Sequence, residues 1–152
     1  MEKIKPHLTE IVIFLAVISL LSLGTYSRNE LWGDKIGFWT DCVKKSPHKG
    51  RPYINLGLAY IESGQYDKAL EATQKGIDLD PKFSGAYYNL SIIYQKMGNL
   101  NQAIAMAKKS LEIDPDTEMA YYSLGGIYFE NGQYEESEEA YKKFLKTFRT
   151  EV

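Results

Sequence analysis

YINLGLAYIESGQYDKALEATQKGIDLDP, residues 53 to 81, decides the fold of this chain. Its skeleton is Tyr53, Leu56, Gly57, Tyr60, Gly64, Ala69, Asp80 and Pro81. The skeleton returns 34 residues later as Tyr87, Leu90, Ser91, Tyr94, Gly98, Ala103, Asp114 and Pro115. It returns once more as Tyr121, Leu124, Gly125, Tyr128, Gly132 and Ser137, again without insertion. A fixed period in the range of about 20 to 50 residues marks a solenoid, whose units cannot bury their apolar face alone and must stack.

Within each unit the punctuation predicts two helices. Pro52 suits a first turn, so helix A of the first unit runs to about Ser63, where Gly64 takes a left-handed cap. Helix B follows from Tyr66 to Leu79, with Ala69 kept small where the two helices cross, and Asp80-Pro81 stops it. The second unit places its helices at about Gly85–Met97 and Leu100–Ile113, the third at about Glu118–Asn131 and Tyr134–Phe148. In the last helix Glu138 with Lys142 and Glu139 with Lys143 stand four apart, as on a solvated face, while Phe144, Leu145 and Phe148 make the other face. No further helix covers that end, so self-association through the last helix is an expectation.

Spacing, turn residues and the small alanine together resemble the tetratricopeptide repeat (TPR) family over residues 50 to 151. The departures are Tyr for the family's frequent first Trp, Ser91 for Gly, Ser137 for Ala and Arg149 for Pro. The resemblance implies an all-α, right-handed TPR solenoid with repeats at 50–83, 84–117 and 118–151. Counting back one more period, Pro47 answers Pro81, Val43 answers Ile77, Ile36 answers Leu70 and Trp32 answers Tyr66. Residues 30–49 therefore read as a half repeat: a helix capped by Asp34 and running to about Lys45, with Ile36, Trp39, Cys42 and Val43 on one face. That face is expected to cover the open end of repeat one and to bury Trp39 there.

Ahead of it, residues 1–29 form the N-terminal segment. Leu8 to Tyr26 reads LTEIVIFLAVISLLSLGTY, with Glu10 its only charge. Nineteen residues of helix reach about 28 Å, close to a hydrocarbon core of about 30 Å. Two readings fit, a retained transmembrane helix and a cleaved signal peptide. The anchor is adopted, because the small residues Ser22 and Gly24 make a poor cleavage site and Tyr26 and Arg28 suit a membrane boundary. Lys3 and Lys5 favour a cytoplasmic N-terminus and place the repeats outside the cytoplasm.

Composition narrows the chemistry. A net charge of −2 with mixed signs gives no field for nucleic acid. One cysteine excludes an internal disulfide framework, and two histidines cannot make a histidine-rich metal site. Asp78-Leu79-Asp80 has the form of a metal-holding D-x-D, yet Asp80 belongs to the repeat's stop. Cys42 lies on a packing face, as a structural thiol would. Lys44, Lys45, His48, Lys49 and Arg51 read as a helix C-terminus or as a contact for anionic head groups. No cofactor and no catalytic set is expected. The junction around Tyr26, Arg28, Asn29, Trp32, Trp39, Asp41 and Pro47 also resembles that of membrane glycosyltransferase-like proteins with C-terminal TPR tails. Their catalytic loops have no counterpart here, so this resemblance implies at most a substrate-presenting or regulatory subunit of such an enzyme.

On the TPR pattern, helix A of each repeat lines a concave groove. Here that surface comprises Arg51, Ile54, Asn55, Leu58 and Glu62; then Tyr88, Asn89, Ile92 and Gln95; then Met119, Tyr122, Ser123, Gly126 and Phe129. It suits a peptide or helix laid along it. Asn55 and Asn89 recur at one position, either to pair with a peptide backbone or because asparagine is common there in the family. The carboxylate clamp of some TPR co-chaperones would need basic and amide residues where Ile54, Leu58, Asn89, Met119 and Ser123 stand, and only Asn89 fits. The sequence thus leads to a membrane-anchored, non-enzymatic scaffold with a protein or peptide partner.

Overall fold

A computed structural model describes residues 34–150, with side chains through Thr147, and the separate helical positions Ile13, Val17 and Ile18. The chain falls into two compact units, residues 1–38 and 39–152. The helices are α1 Lys35–Lys45, α2 Gly50–Glu62, α3 Tyr66–Leu79, α4 Ser84–Lys96, α5 Leu100–Ile113, α6 Glu118–Glu130 and α7 Tyr134–Thr150. The predicted membrane span at 8–26 lies outside the described residues except for Ile13, Val17 and Ile18, whose side chains are exposed. Among the described residues no helix is long and apolar enough to cross a membrane.

The punctuation acts as chemistry requires. Gly64, Gly98 and Gly132 all have φ between 74 and 79°, a left-handed backbone that only glycine adopts without penalty. In the first repeat Gln65 N–H donates to Tyr60 O at 2.9 Å and Gly64 N–H to Ile61 O at 3.0 Å, the bond pair of a Schellman cap. Asp80 and Asp114 leave the helix at φ −142° and −139°, where a following proline drives the preceding residue. The turn after α1 repeats this hydrogen bonding. Ser46 N–H bonds Cys42 O at 2.9 Å and Lys49 N–H bonds Ser46 O at 3.2 Å, as Asp80 bonds Gly76 O at 2.9 Å and Phe83 bonds Asp80 O at 3.4 Å.

Helix α1 begins where Asp34 Oδ1 accepts from Gly37 N–H at 2.8 Å, an N-cap. No side chain of α1 is buried, and Trp39 is only half-buried, which corrects the expectation of an enclosed indole.

Each A helix packs on its own B helix, each B helix on the next A, and α2 touches α4 as α4 touches α6. Among the described residues no such pairing joins α3, α5 and α7, so the A helices form the inner layer and the B helices fan outward. Two apolar clusters hold the stack. One gathers Ile54, Ala69, Ile77, Ala86, Leu90 and Ile93; the other gathers Ala103, Ile104, Ala107, Leu124, Ile127, Tyr128 and Ala140.

The helix crossings explain the departures from the repeat. A Cβ on Gly57 would collide with Thr73 Oγ1, and one on Gly125 would lie 2.8 Å from Cε1 of Tyr141. In the second repeat the same two positions are Ser91 and Ala107, both fully buried. Where helix A is bare, helix B is large; where helix A carries a side chain, helix B shrinks to alanine. Three of the buried hydroxyls are satisfied by backbone: Ser91 Oγ donates to Tyr88 O at 2.7 Å within its helix, and Ser110 Oγ to Ser84 O at 3.0 Å and Ser137 Oγ to Gly125 O at 2.8 Å across to the A helix of the same repeat. Thr73 Oγ1 is buried with no hydrogen-bond partner.

Candidate partner-binding groove

The candidate surface is made by residues of the inner-layer helices α2, α4 and α6. Its first stretch carries Arg51, whose guanidinium stands 5.1 Å from the Phe83 ring centroid. Leu58 and Glu62 are exposed and Asn55 is half-buried. On α4, Tyr88 and Ile92 are half-buried, and burial raises the Tyr88 phenol above its ordinary pKa. Gln95 Nε2 reaches across to α6 and donates to Glu130 Oε1 at 2.8 Å.

Two of the expected groove residues belong to the packing instead. Ile54 is 2 % exposed and sits in the first apolar cluster. Asn89 is 5 % exposed, and its Nδ2 donates to Ile54 O at 3.2 Å, tying α4 to α2. Ile54 packs between Ala69 and Ile77 of its own helix B and Ala86, Leu90 and Ile93 of α4, in the space a Cβ on Gly76 would need, while Asn89 is held at the α2–α4 contact. Buried amides must find partners, and Asn89 finds one in the preceding repeat rather than in a ligand.

The third repeat is different in character. Met119 and Tyr122 are each 53 % exposed and Phe129 is 61 % exposed, all on α6, with Ser123 half-buried among them. Residues at i, i+3 and i+10 fall along one side of a helix, so the three share one side of α6, with Gly126 between Tyr122 and Phe129. Helix α7 supports it: Tyr122 meets Tyr141 with ring centroids 5.8 Å apart and Phe144 at 5.5 Å, and Phe129 meets Tyr134 at 5.5 Å. Sequence reasoning missed Tyr141 and Tyr134. The available signal was that Tyr141 occupies the position held by Thr73 and Ala107, and so is oversized for a helix crossing.

Two cavities, of about 690 Å³ beside Tyr53, Leu56 and Tyr60 and about 410 Å³ beside Tyr121, Leu124 and Tyr128, recur at one register on the flanks of repeats one and three. The inner face is instead an open surface, the form a chain-like ligand needs. Of the other candidates, Asp78 Oδ1 accepts from Gln74 Nε2 at 3.2 Å and Asp80 terminates α3. Cys42 is half-buried. Lys45 pairs with Asp41 at 2.6 Å, which raises the lysine pKa through hydrogen bond and charge.

Comparison with known proteins agrees with this architecture. The tetratricopeptide repeat family model matches residues 60–124 and 94–150. These ranges begin beyond the junction segment. A curated relative, the small glutamine-rich tetratricopeptide repeat-containing protein 2 of Mycosarcoma maydis, is 47 % identical over 38 residues, 25 % of this chain. That segment is only 11 % of the relative's length. Among solved structures, a crystal structure of MamA superposes with a TM-score of 0.71 at 31 % identity, over 89 % of this chain and 80 % of that one. MamA from Desulfovibrio magneticus RS-1 shares the fold at 22 % identity, with a TM-score of 0.68 over 88 % and 72 % of the two chains. With the family model matching more than half of its length, the chain belongs to the tetratricopeptide repeat family.

Proposed function

We propose that this protein is a membrane-anchored scaffold that binds a protein partner in its concave groove, outside the cytoplasm. The observation that carries the reading is the exposed stripe of Met119, Tyr122 and Phe129 on the inner layer. Large apolar side chains held outward by aromatic neighbours are costly to leave in water, and contiguous patches of this kind mark interaction sites. The carboxylates singled out in the sequence have structural work, as helix stops or amide acceptors, so the reading is of binding and not catalysis. The apolar run at 8–26 supports the anchor, and Lys3 and Lys5 support its orientation. Exposed Leu145 on α7 offers a surface for self-association.

The test pairs affinity capture from crosslinked cells with a Tyr122→Asp, Phe129→Asp variant. A partner recovered with the wild type and lost with the variant, at equal circular dichroism, is the expected result. A partner retained in full removes the groove from the function. Protease protection in cells stripped only of an outer barrier then addresses topology: digested repeats fit the reading, protected repeats contradict it.

A further inference from the structure

Gly126 stands where the first two repeats carry Leu58 and Ile92, in the middle of the inner face. A Cβ there would meet only the Tyr141 hydroxyl, at 3.6 Å, an ordinary contact. Packing therefore leaves room for a side chain that the sequence does not provide. Positions three and four away on a helix are surface neighbours, so Gly126 is ringed by Tyr122, Ser123, Phe129 and Glu130 on its own helix. Tyr141 closes the side from α7, its ring against Tyr122.

The notch has a sign. Glu130 is exposed and is held by Gln95, a neutral amide that fixes the carboxylate without cancelling its charge. Helix α6 bears a second acid, Glu118, and no base. The Tyr141 hydroxyl is pushed above its ordinary pKa by burial and then by the nearby Tyr122 and Glu130, in keeping with a carboxylate close to the ring. Two exposed aromatic rings and one carboxylate around a vacant helix position match a planar cation, which stacks on rings and donates charge-assisted hydrogen bonds to a carboxylate.

We propose that the Gly126 notch, walled by Tyr122, Phe129, Tyr141 and Glu130, receives an arginine side chain of the partner. The proposal rests on the reading of the inner face as the binding surface, and it names the anchor residue of the ligand. In it the guanidinium lies over the Tyr122 or Phe129 ring and pairs with Glu130, while the aliphatic stem crosses the bare backbone at Gly126.

The probe is N-acetyl-arginine methylamide, titrated into the isotope-labelled full chain in detergent micelles while the Gly126 amide resonance is followed. The uncharged citrulline analogue is the control. Saturable shifts with the arginine probe are expected at millimolar concentration, about tenfold weaker with citrulline, and about tenfold weaker again for the arginine probe with Glu130→Gln. Gly126→Leu should abolish the shifts reported by Phe129 and Glu130 amides with an unchanged circular-dichroism spectrum, since the added side chain fills open space. Equal response to citrulline, no saturation, or full binding by Gly126→Leu each overturns the proposal. A groove-dependent partner recovered beside a failed arginine titration would leave the scaffold reading standing and remove the notch alone.

Discussion

Replacing Asn89 by alanine separates a groove amide from a packing amide. Its Nδ2 bonds Ile54 O at 3.2 Å across the α2–α4 contact, and the side chain is 5 % exposed. The lost bond is worth about 0.5–1.5 kcal/mol, and the small void adds to it, giving about 1–2 kcal/mol of destabilisation. At about 4–8 °C per kcal/mol for an array of this size, the midpoint should fall by roughly 5–15 °C. Asn89→Asp sharpens the test. A buried carboxylate facing a carbonyl oxygen cannot donate, so it should cost more than alanine at neutral pH. Burial raises such a group's pKa, so the folded state takes up a proton that the unfolded state lacks, and stability should recover as pH falls. Thermal melts followed by circular dichroism, repeated across pH, measure all three proteins. An Asn89→Ala midpoint equal to that of the wild type would refute the inter-repeat role and return the amide to the groove.

Adjacent glycines should respond oppositely. Gly125→Ala forces Tyr141 to move and should cost about 1–3 kcal/mol, whereas Gly126→Ala meets open space and should stabilise α6 by roughly 0.5–1 kcal/mol; thermal melts of the pair decide it. Thr73→Val removes a buried hydroxyl without a partner and should raise stability by about 1 kcal/mol, measured by urea titration. On α7 the Lys142 and Lys143 partners hold Glu138 and Glu139 below their ordinary pKa of 4.5, through hydrogen bond and then charge. Depressed carboxylate pKa values mean that this support is complete above pH 4.5 and is lost as pH falls through the lower folded values, so amide exchange in α7 should quicken there relative to α3.

The backbone plan was legible because it is written in residues with few alternatives. Glycine at 64, 98 and 132 and Asp-Pro at 80 and 114 fix where helices end, and α3 and α5 have the very bounds their punctuation implies. On α6, Met119, Tyr122 and Phe129 stay exposed where, among the described residues, no further A helix packs. At Ile54 and Asn89 the neighbours decide: Ile54 packs against α3 and α4, and Asn89 bonds back to α2. A one-repeat pattern carries no information on those neighbours. Tyr141 is hidden for a related reason: the pattern of the last helix alone does not show that the bare Gly125 opposite lets its ring pass toward α6.

The central claim is that the inner layer, and not the outer one, meets the partner. A photoreactive benzoylphenylalanine placed at Tyr122 tests this against the same residue at Lys75, exposed on the outer helix α3. Irradiation of intact cells should yield a discrete adduct from position 122 and none from position 75. An adduct from position 75 with none from position 122 would contradict the account.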